Sequence, residues 1–186
     1  MMHADDVCEV LSHLERAGLS VWVDGGWGVD ALLGVQTRPH DDLDLVMLAH
    51  EYPMSATVLP GFHPDLDAQP GMPYRYVLMD ARRRVVDIHP VVIASTGEAV
   101  GTYVPREVLY PAGGLDGHGT IQGQAVRCLS ASCQVLKHSG YANHGPDEYD
   151  YRDMSALARR FAVTLPTEYA HPPGWRHARR ARLDTR

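Results

Sequence analysis

Two aspartates separated by one residue are the first candidates for chemistry in this sequence. Asp42 and Asp44 alternate with leucines, and alternate side chains of a β-strand lie on the same face. Their carboxylates would then lie ~6–7 Å apart, which is twice the rise per residue of a strand. Two carboxylates at this distance repel each other unless a cation joins them, and Mg²⁺ combines one or two carboxylates with phosphate oxygens. The pair therefore suits a magnesium–triphosphate site, or else it is an acidic strand end that faces water.

A third aspartate, Asp87, interrupts the apolar segment 85–88. A charge inside a strand is costly unless it is paired or ligated, so Asp87 is either a functional carboxylate or an edge-strand residue that faces solvent. If its strand lies beside that of Asp42 and Asp44, three carboxylates converge, and such a group can hold two metal ions ~4 Å apart. Alternatively, Asp87 removes the proton from an attacking hydroxyl as a general base.

A glycine pair and a basic turn precede the aspartates. Gly25 and Gly26 follow a short apolar strand and precede a helix, so the backbone can approach a bulky anion at a helix N-terminus; a purely structural turn is the alternative. In the following turn, Arg38 suits multidentate phosphate contact. His40 either meets a phosphate oxygen or braces the loop. The glycines, the arginine, the histidine and the aspartates follow one another in the order expected for a phosphate and metal site. The functional interpretation of each residue is therefore stronger than it would be for that residue alone.

The elements that position these residues follow from hydrophobic periodicity and turn residues. Helices are predicted over 5–17, 27–33, 51–58, 130–139 and 147–161, the last with Met154, Leu157, Ala158 and Phe161 as its apolar face. Strands are predicted over 21–23, 43–48, 74–79, 84–88, 91–93, 100–104 and 119–128, and a loop over 60–73. This order predicts an α/β (α+β) fold with a mixed β-sheet flanked by helices. We expect a catalytic domain over 1–105 and a smaller C-terminal part over 106–186 that ends in helices and a loose tail.

The composition narrows the class of protein. The chain has 186 residues, of which 45% are hydrophobic, enough for one core or for two small cores that share an interface. The formal net charge of −6 argues against a nucleic-acid partner, which needs clustered Lys and Arg. Cys8, Cys128 and Cys133 are too few and too irregular for a disulfide or zinc framework, so a cytoplasmic location is expected. No apolar run approaches the ~20 residues of a membrane helix, so no membrane partner is expected.

Two blocks of this sequence, residues 23–34 and 37–45, closely resemble the lincosamide nucleotidyltransferases and aminoglycoside-2''-adenylyltransferases of the polymerase-β-like nucleotidyltransferase superfamily. Weaker similarity continues through 86–90, 123–130 and 138–141, and the resemblance covers roughly 5–169. It implies a mixed sheet flanked by helices, Mg²⁺ as cofactor, ATP as the usual donor and an antibiotic hydroxyl as acceptor.

The resemblance also assigns site residues. Asp42 and Asp44 match the metal-binding pair, and Asp87 matches the third carboxylate, which is a base, a metal ligand or both. The residues that match nucleotide-binding positions are Gly25, Gly26, Arg38, His40 and Lys137, with Tyr141 added because it lies near Lys137. The alternative for Lys137 is an ordinary exposed lysine of a helix.

The sequence therefore predicts a Mg²⁺-dependent nucleotidyltransferase that moves AMP, or another nucleoside monophosphate, onto a hydroxyl of a small molecule such as a lincosamide or aminoglycoside antibiotic. A non-catalytic regulatory or antitoxin-like module of the same fold is the main alternative, and an enzyme that acts on tRNA or protein is another. The acids Asp147, Glu148, Asp150 and Asp153 either form a pocket for a polycationic acceptor or are a solvated helix start. The C-terminal part could pair across a twofold axis, so a homodimer is one expected assembly.

Overall fold

One mixed β-sheet with helices around it is formed by the residues that the computed structural model describes, which are 1–68, 75–102, 107–140 and 147–170. In chain order its strands are β1 (Val21–Val23), β2 (Asp42–Leu48), β3 (His63–Pro64), β4 (Tyr76–Met79), β5 (Val85–Ile93), β6 (Ala99–Gly101), β7 (Val108–Tyr110), β8 (Gly117–Ile121) and β9 (Gln124–Cys128). The α-helices are α1 (Ala4–Arg16), α2 (Gly25–Leu33), α3 (Ser55–Val58), α4 (Ala131–Gly140) and α5 (Glu148–Phe161), and short 3-10 helices cover Tyr52–Met54 and Thr167–Tyr169.

The two strands that carry the aspartates lie in the middle of the sheet. Its strand order is β3-β4-β5-β2-β1-β9-β8, and β6 and β7 extend from the C-terminal half of β5. The pairs β2–β5 and β1–β9 are parallel, whereas the other neighbouring strands are antiparallel. Because β2 pairs with β5 along its whole length, the register of this pair decides which side chains meet.

The helix α2 is buried on two sides, which fixes it against the sheet. Trp27 and Ala31 join the core that α1 and the central strands form, whereas Val29 packs into a second cluster with Met154 and Leu157 of α5. Its N-terminus is capped by the Asp24 side chain, and it ends at a glycine in the left-handed conformation, as helices often do. Because α2 is packed on two sides and has defined ends, the turn that precedes it is held in a fixed position against the sheet.

The predicted fold class is confirmed, but the boundaries of several strands were wrong. Pro90 does not separate two strands, because β5 continues through it to Ile93. On one side of β5, β4 pairs as far as Ile88 and β6 begins at Val91, so the missing N–H of Pro90 breaks no ladder between described strands there. The predicted strand 119–128 is the hairpin of β8 and β9, because Gln122 and Gly123 both have positive φ angles, as a two-residue hairpin turn requires.

Other differences lie at the periphery. The strand β7 was not predicted, the predicted loop 60–73 contains β3, and Phe161, assigned to the apolar face of α5, is exposed. Tyr74 and residues 103–104, which we assigned to strands, lie outside the described residues. None of the helices in the described ranges is long and apolar enough to cross a bilayer. The division into 1–105 and 106–186 stays a prediction.

Candidate active site

The register of β2 and β5 brings the aspartates together. Asp44 lies directly opposite Asp87 in the parallel pair, so their side chains share one face of the sheet. Asp42 shares this face because it lies two residues before Asp44, and the leucines between and after them, Leu43 and Leu45, are buried on the other face. The three aspartates that the sequence singled out therefore lie on one face at the centre of the sheet, and two of them, Asp44 and Asp87, lie directly opposite each other.

A histidine joins this group. His89 lies two residues after Asp87 on the same face, and its Nε2 lies 3.7 Å from Oδ1 of Asp44. Asp44, Asp87 and His89 offer ligand atoms that all lie within 4.8 Å of one another. Within the described ranges, Oδ1 of Asp87 is buried without a hydrogen-bond partner, whereas Oδ2 is paired with the guanidinium of Arg75. A buried carboxylate oxygen without a donor is costly, so this group fits a bound cation.

The electrostatics of the group point the same way. Burial raises the pKa of Asp42 to about 6, and the charges of Asp44 and Asp87 add to the effect. Burial also raises the pKa of Asp87, although His89 and Arg75 oppose that shift. Burial works against protonation of His89, yet its contact with Asp44 and the charge of Asp87 raise its pKa above the usual value. The site therefore holds more negative charge than its own cations balance, which is the condition that a metal ion would relieve.

The glycine turn lies directly against these carboxylates. The backbone N–H of Gly25 donates to Oδ1 of Asp24 at 2.6 Å, and Gly25 has a φ of 57°. A Cβ built on Gly25 would lie 2.2 Å from Oδ2 of Asp44, and one on Gly26 would lie 2.3 Å from Nδ1 of His40. Only glycine fits at either position without moving these side chains. The N-terminus of α2, whose free N–H groups favour anions, is thereby placed next to the aspartates.

A chain of polar contacts forms one wall of the site. Nη1 of Arg38 lies 3.0 Å from Nδ1 of His40, and Nε2 of His40 lies 2.5 Å from Oδ2 of Asp30. Nε of Arg38 donates to Oδ2 of Asp153 in α5 at 3.1 Å. His40, Asp30 and Asp153 are all buried. Both ring nitrogens of His40 are thus used inside the protein, so His40 braces Arg38.

The opposite wall is formed by β7 and α4. The hydroxyl of Tyr110 donates to Oδ2 of Asp24 at 2.9 Å, and Nζ of Lys137 lies 4.9 Å from the centroid of the Tyr110 ring. Nδ1 of His138 lies 2.8 Å from Oδ1 of Asp150. The two walls enclose a cavity of about 380 Å³ that is lined by Asp24, Gly25, Gly26, Arg38, His40, Asp41, Asp42, Asp44, His89, Tyr110, Lys137 and His138.

The sequence model of the aminoglycoside-2''-adenylyltransferases matches residues 6–157. The chain belongs to the aminoglycoside-2''-adenylyltransferase family. It is 27% identical over 154 residues to a lincosamide resistance protein of Staphylococcus haemolyticus, covering 80% of this chain and 91% of the relative. As a member of this family it is a nucleotidyltransferase, and the regulatory-module alternative is not favoured.

Solved structures that are similar to this member of the family include two with an antibiotic or its adenylyl product bound. The lincomycin-bound crystal structure of the lincosamide antibiotic adenylyltransferase LnuA superposes with a TM-score of 0.70 at 26% identity, over 84% of this chain and 96% of the other. The crystal structure of ANT(2'')-Ia in complex with adenylyl-2''-tobramycin gives a TM-score of 0.67 at 21% identity, over 97% and 98% of the two chains. The second likeness concerns the fold alone.

In this nucleotidyltransferase, most of the residues predicted for the site line the same cavity. These are Gly25, Gly26, Arg38, His40, Asp42, Asp44 and Lys137, and Asp87 faces Asp44 from β5. Tyr141 lies outside the described residues. The acidic residues near α5 do not act as one group: Asp147 caps the helix, Glu148 is exposed, Asp150 contacts His138, and Asp153 contacts Arg38.

Four contributors to the site were missed by sequence reasoning. His89 could have been found, because it lies two residues from Asp87 and so shares its face of a strand. Tyr110 could not, since β7 carries no recognisable pattern. The contacts of Arg75 with Asp87 and of Asp30 with His40 depend on tertiary packing and leave no signal in the local sequence.

Proposed function

We propose that this protein transfers AMP from ATP to a hydroxyl of a lincosamide- or aminoglycoside-type antibiotic, with Mg²⁺ as cofactor. The observation that carries the proposal is the pair of facing carboxylates, Asp44 and Asp87, beside the glycine turn at the start of α2. Family membership supports nucleotidyl transfer as the reaction. The names of the relatives, a lincosamide resistance protein and a lincomycin-bound adenylyltransferase, support the acceptor class.

Asp42, Asp44 and Asp87 would hold Mg²⁺, with His89 beside them. The unsatisfied Oδ1 of Asp87 and the raised pKa of Asp42 support this role. When bound, Mg²⁺ neutralises charge on the phosphates and polarises the reacting phosphoryl group. The carboxylates would contribute by fixing the position of the metal between two adjacent, hydrogen-bonded strands.

The triphosphate is held by the chain from two sides. The N-terminus of α2 would face the phosphates at Gly26, whereas the N–H of Gly25 donates to Asp24 and Gly25 leaves room for the close approach. Arg38 on one wall and Lys137 on the other offset the charge that develops as pyrophosphate leaves. His40 keeps Arg38 in place through the contact with its Nδ1. Positioning and electrostatics are therefore the main contributions of the protein to the reaction.

Asp87 activates the acceptor. Its carboxylate takes the proton of the antibiotic hydroxyl, the oxygen forms a bond to the α-phosphorus, and the bond from that phosphorus to the bridging oxygen of pyrophosphate breaks. Oδ1 of Asp87, which has no hydrogen-bond partner among the described residues, is the oxygen that can accept this proton. Arg75 holds the second oxygen of Asp87 through their ion pair and so fixes the direction of the first.

The experiment that tests this proposal is mass spectrometry of an antibiotic panel incubated with the protein, Mg²⁺ and each nucleoside triphosphate in turn. We expect a lincosamide to gain the mass of one adenylyl unit with release of pyrophosphate, since the lincosamide relative matches over 91% of its length. Aminoglycosides form the second arm of the panel. Absence of any modified product and of any pyrophosphate from the folded protein would refute the proposal.

The setting of the enzyme belongs to the same proposal. The three cysteines are free thiols, which suits the reducing cytoplasm where ATP is available. A homodimer stays a prediction of the sequence, and light scattering of the purified protein would test it.

A further inference from the structure

We propose that Asp153 is a positioning residue that acts through Arg38, so that helix α5 orients the guanidinium against the triphosphate. This inference rests on the proposed function, because it assigns to α5 the control of a phosphate contact in that same site. It gives the buried carboxylate of Asp153 a role in triphosphate affinity rather than in stability alone.

Two of the three guanidinium nitrogens of Arg38 are held by protein groups, and the third is available to bind a ligand. Nε donates to Oδ2 of Asp153 at 3.1 Å, and Nη1 reaches Nδ1 of His40 at 3.0 Å and the carbonyl oxygen of Pro39 at 3.4 Å. Nη2 has no hydrogen-bond partner in the part of the chain that the structure describes. A Cβ built on Gly26 would lie 2.9 Å from Nη2, so this nitrogen faces the first turn of α2. Nη2 is therefore the guanidinium nitrogen that can donate to the phosphates, which would lie at the N-terminus of α2.

Helix α5 holds this guanidinium at two points. Tyr149 and Asp153 are four residues apart and lie on one face of the helix. The centre of the guanidinium lies 5.2 Å from the centroid of the Tyr149 ring, within the range of a cation–π contact. Only 4% of the Asp153 side chain is exposed, and the next residue, Met154, is packed against Val29 of α2. The packing of α5 on α2 thus fixes the carboxylate, and the carboxylate fixes Arg38.

A second brace holds Arg38 from the side of α2. A guanidinium can only donate, so Nδ1 of His40 accepts from Arg38 and Nε2 carries the hydrogen that goes to Asp30. Oδ1 of Asp30 also accepts from the backbone N–H of Thr37 at 2.9 Å and from its hydroxyl at 2.6 Å. This brace holds Nη1 and the turn, whereas Asp153 holds Nε. Loss of Asp153 alone therefore frees the guanidinium to rotate about Nη1 and reduces its contact with phosphate.

The test is a double-mutant cycle read by binding of the non-hydrolysable analogue of ATP in the presence of Mg²⁺, without acceptor. We expect Asp153→Ala and Arg38→Ala each to raise the dissociation constant about tenfold, as for the loss of one hydrogen bond to a charged group. We expect the double variant to bind no more weakly than Arg38→Ala alone, because Asp153 acts only through Arg38.

Matched variants separate positioning from folding. Glu148→Gln removes one negative charge from the same helix at an exposed side chain and should leave the dissociation constant unchanged. Thermal melting checks every variant, and if Asp153→Ala does not fold, Asp153→Asn replaces it in the cycle, since it keeps the shape of the side chain. Wild-type affinity in the Asp153 variant, or effects that multiply in the double variant, would overturn the inference. If the folded wild-type protein does not bind the triphosphate analogue at all, the proposed function fails as well.

Discussion

At the scale of residues, the proposed chemistry depends on a few carboxylate oxygens that the fold forces close together. Asp44 is central, because it lies opposite Asp87, near His89 and against the Cβ position of Gly25. Isolated aspartates of this kind would be hydrated at the surface. Here burial and the neighbouring charges raise the pKa of Asp42 and that of Asp87 and so make their charged forms costly, which gives the group an affinity for cations that no single residue would have.

We expect Asp44→Asn to lower the rate of nucleotidyl transfer by at least ~10²-fold while the fold is kept. Asparagine has the same shape but removes one charge of the metal-binding group. The melting temperature of the metal-free variant should equal or exceed that of the wild type, since repulsion with Asp42 is relieved. Asp67→Asn, at an exposed aspartate, is the charge-matched control and should keep full activity. Near-wild-type turnover in Asp44→Asn would contradict the proposed metal role.

At the scale of elements, the unit formed by β1, its glycine turn and α2 places backbone against the reacting groups. Gly25 has a φ of 57°, a conformation that costs other residues ~1 kcal/mol. A side chain at Gly25 would also overlap the Asp44 carboxylate, so a change in the turn changes the position of that carboxylate. This coupling explains the glycine at position 25, two residues after the end of a strand of large apolar residues.

We expect Gly25→Ala to abolish activity, because a Cβ would lie 2.2 Å from Oδ2 of Asp44 and would displace it. Gly18→Ala is a matched control: Gly18 has a φ of 77°, and a Cβ there would meet no atom within 4 Å. The control should lose only ~1 kcal/mol of stability from backbone strain and keep its activity. Turnover and chemical denaturation measure the two effects, and equal losses of activity in both variants would argue against a special role of Gly25.

The elements also show how far the sequence can be interpreted. Asp42 and Asp44 share one face of a strand because they are two residues apart, and the glycine turn is likewise a local feature. Both could therefore be predicted from spacing alone. The convergence of Asp44 with Asp87 is not local, since it depends on β5 inserting next to β2 in a parallel register. The sequence alone did not show which strand lies next to β2, and it predicted that the strand ends before Pro90. Local spacing cannot show that β5 exchanges one partner, β4, for another, β6, without itself ending.

At the scale of the whole molecule, the same packing that builds the site also buries groups which titrate only at high pH. Burial raises the pKa of Cys128 and that of Cys133 to about 12, and burial raises the pKa of Tyr169 to about 12 as well. All three side chains are nearly or fully buried and belong to the clusters that join α2, α4 and α5 to the sheet. Their acid forms are thus part of the core that supports the site.

This burial predicts an alkaline limit to stability. Below pH ~9 the two thiols are protonated in both the folded and the unfolded chain, so the free energy of unfolding does not change with their titration. Between pH ~9 and ~12 the unfolded chain releases the two thiol protons while the folded chain keeps them. From pH ~10 the same holds for the hydroxyl proton of Tyr169. Each group lowers the free energy of unfolding by up to ~1.4 kcal/mol per pH unit within its window. Chemical denaturation across this range measures the slope. Tyr169→Phe is the control, since within the described residues its hydroxyl has no hydrogen-bond partner: the variant should lose little stability at neutral pH and should show a shallower alkaline decline. A slope that Tyr169→Phe leaves unchanged would mean that the hydroxyl is exposed in solution and that Tyr169 is not packed against the cluster of α2 and α5 residues.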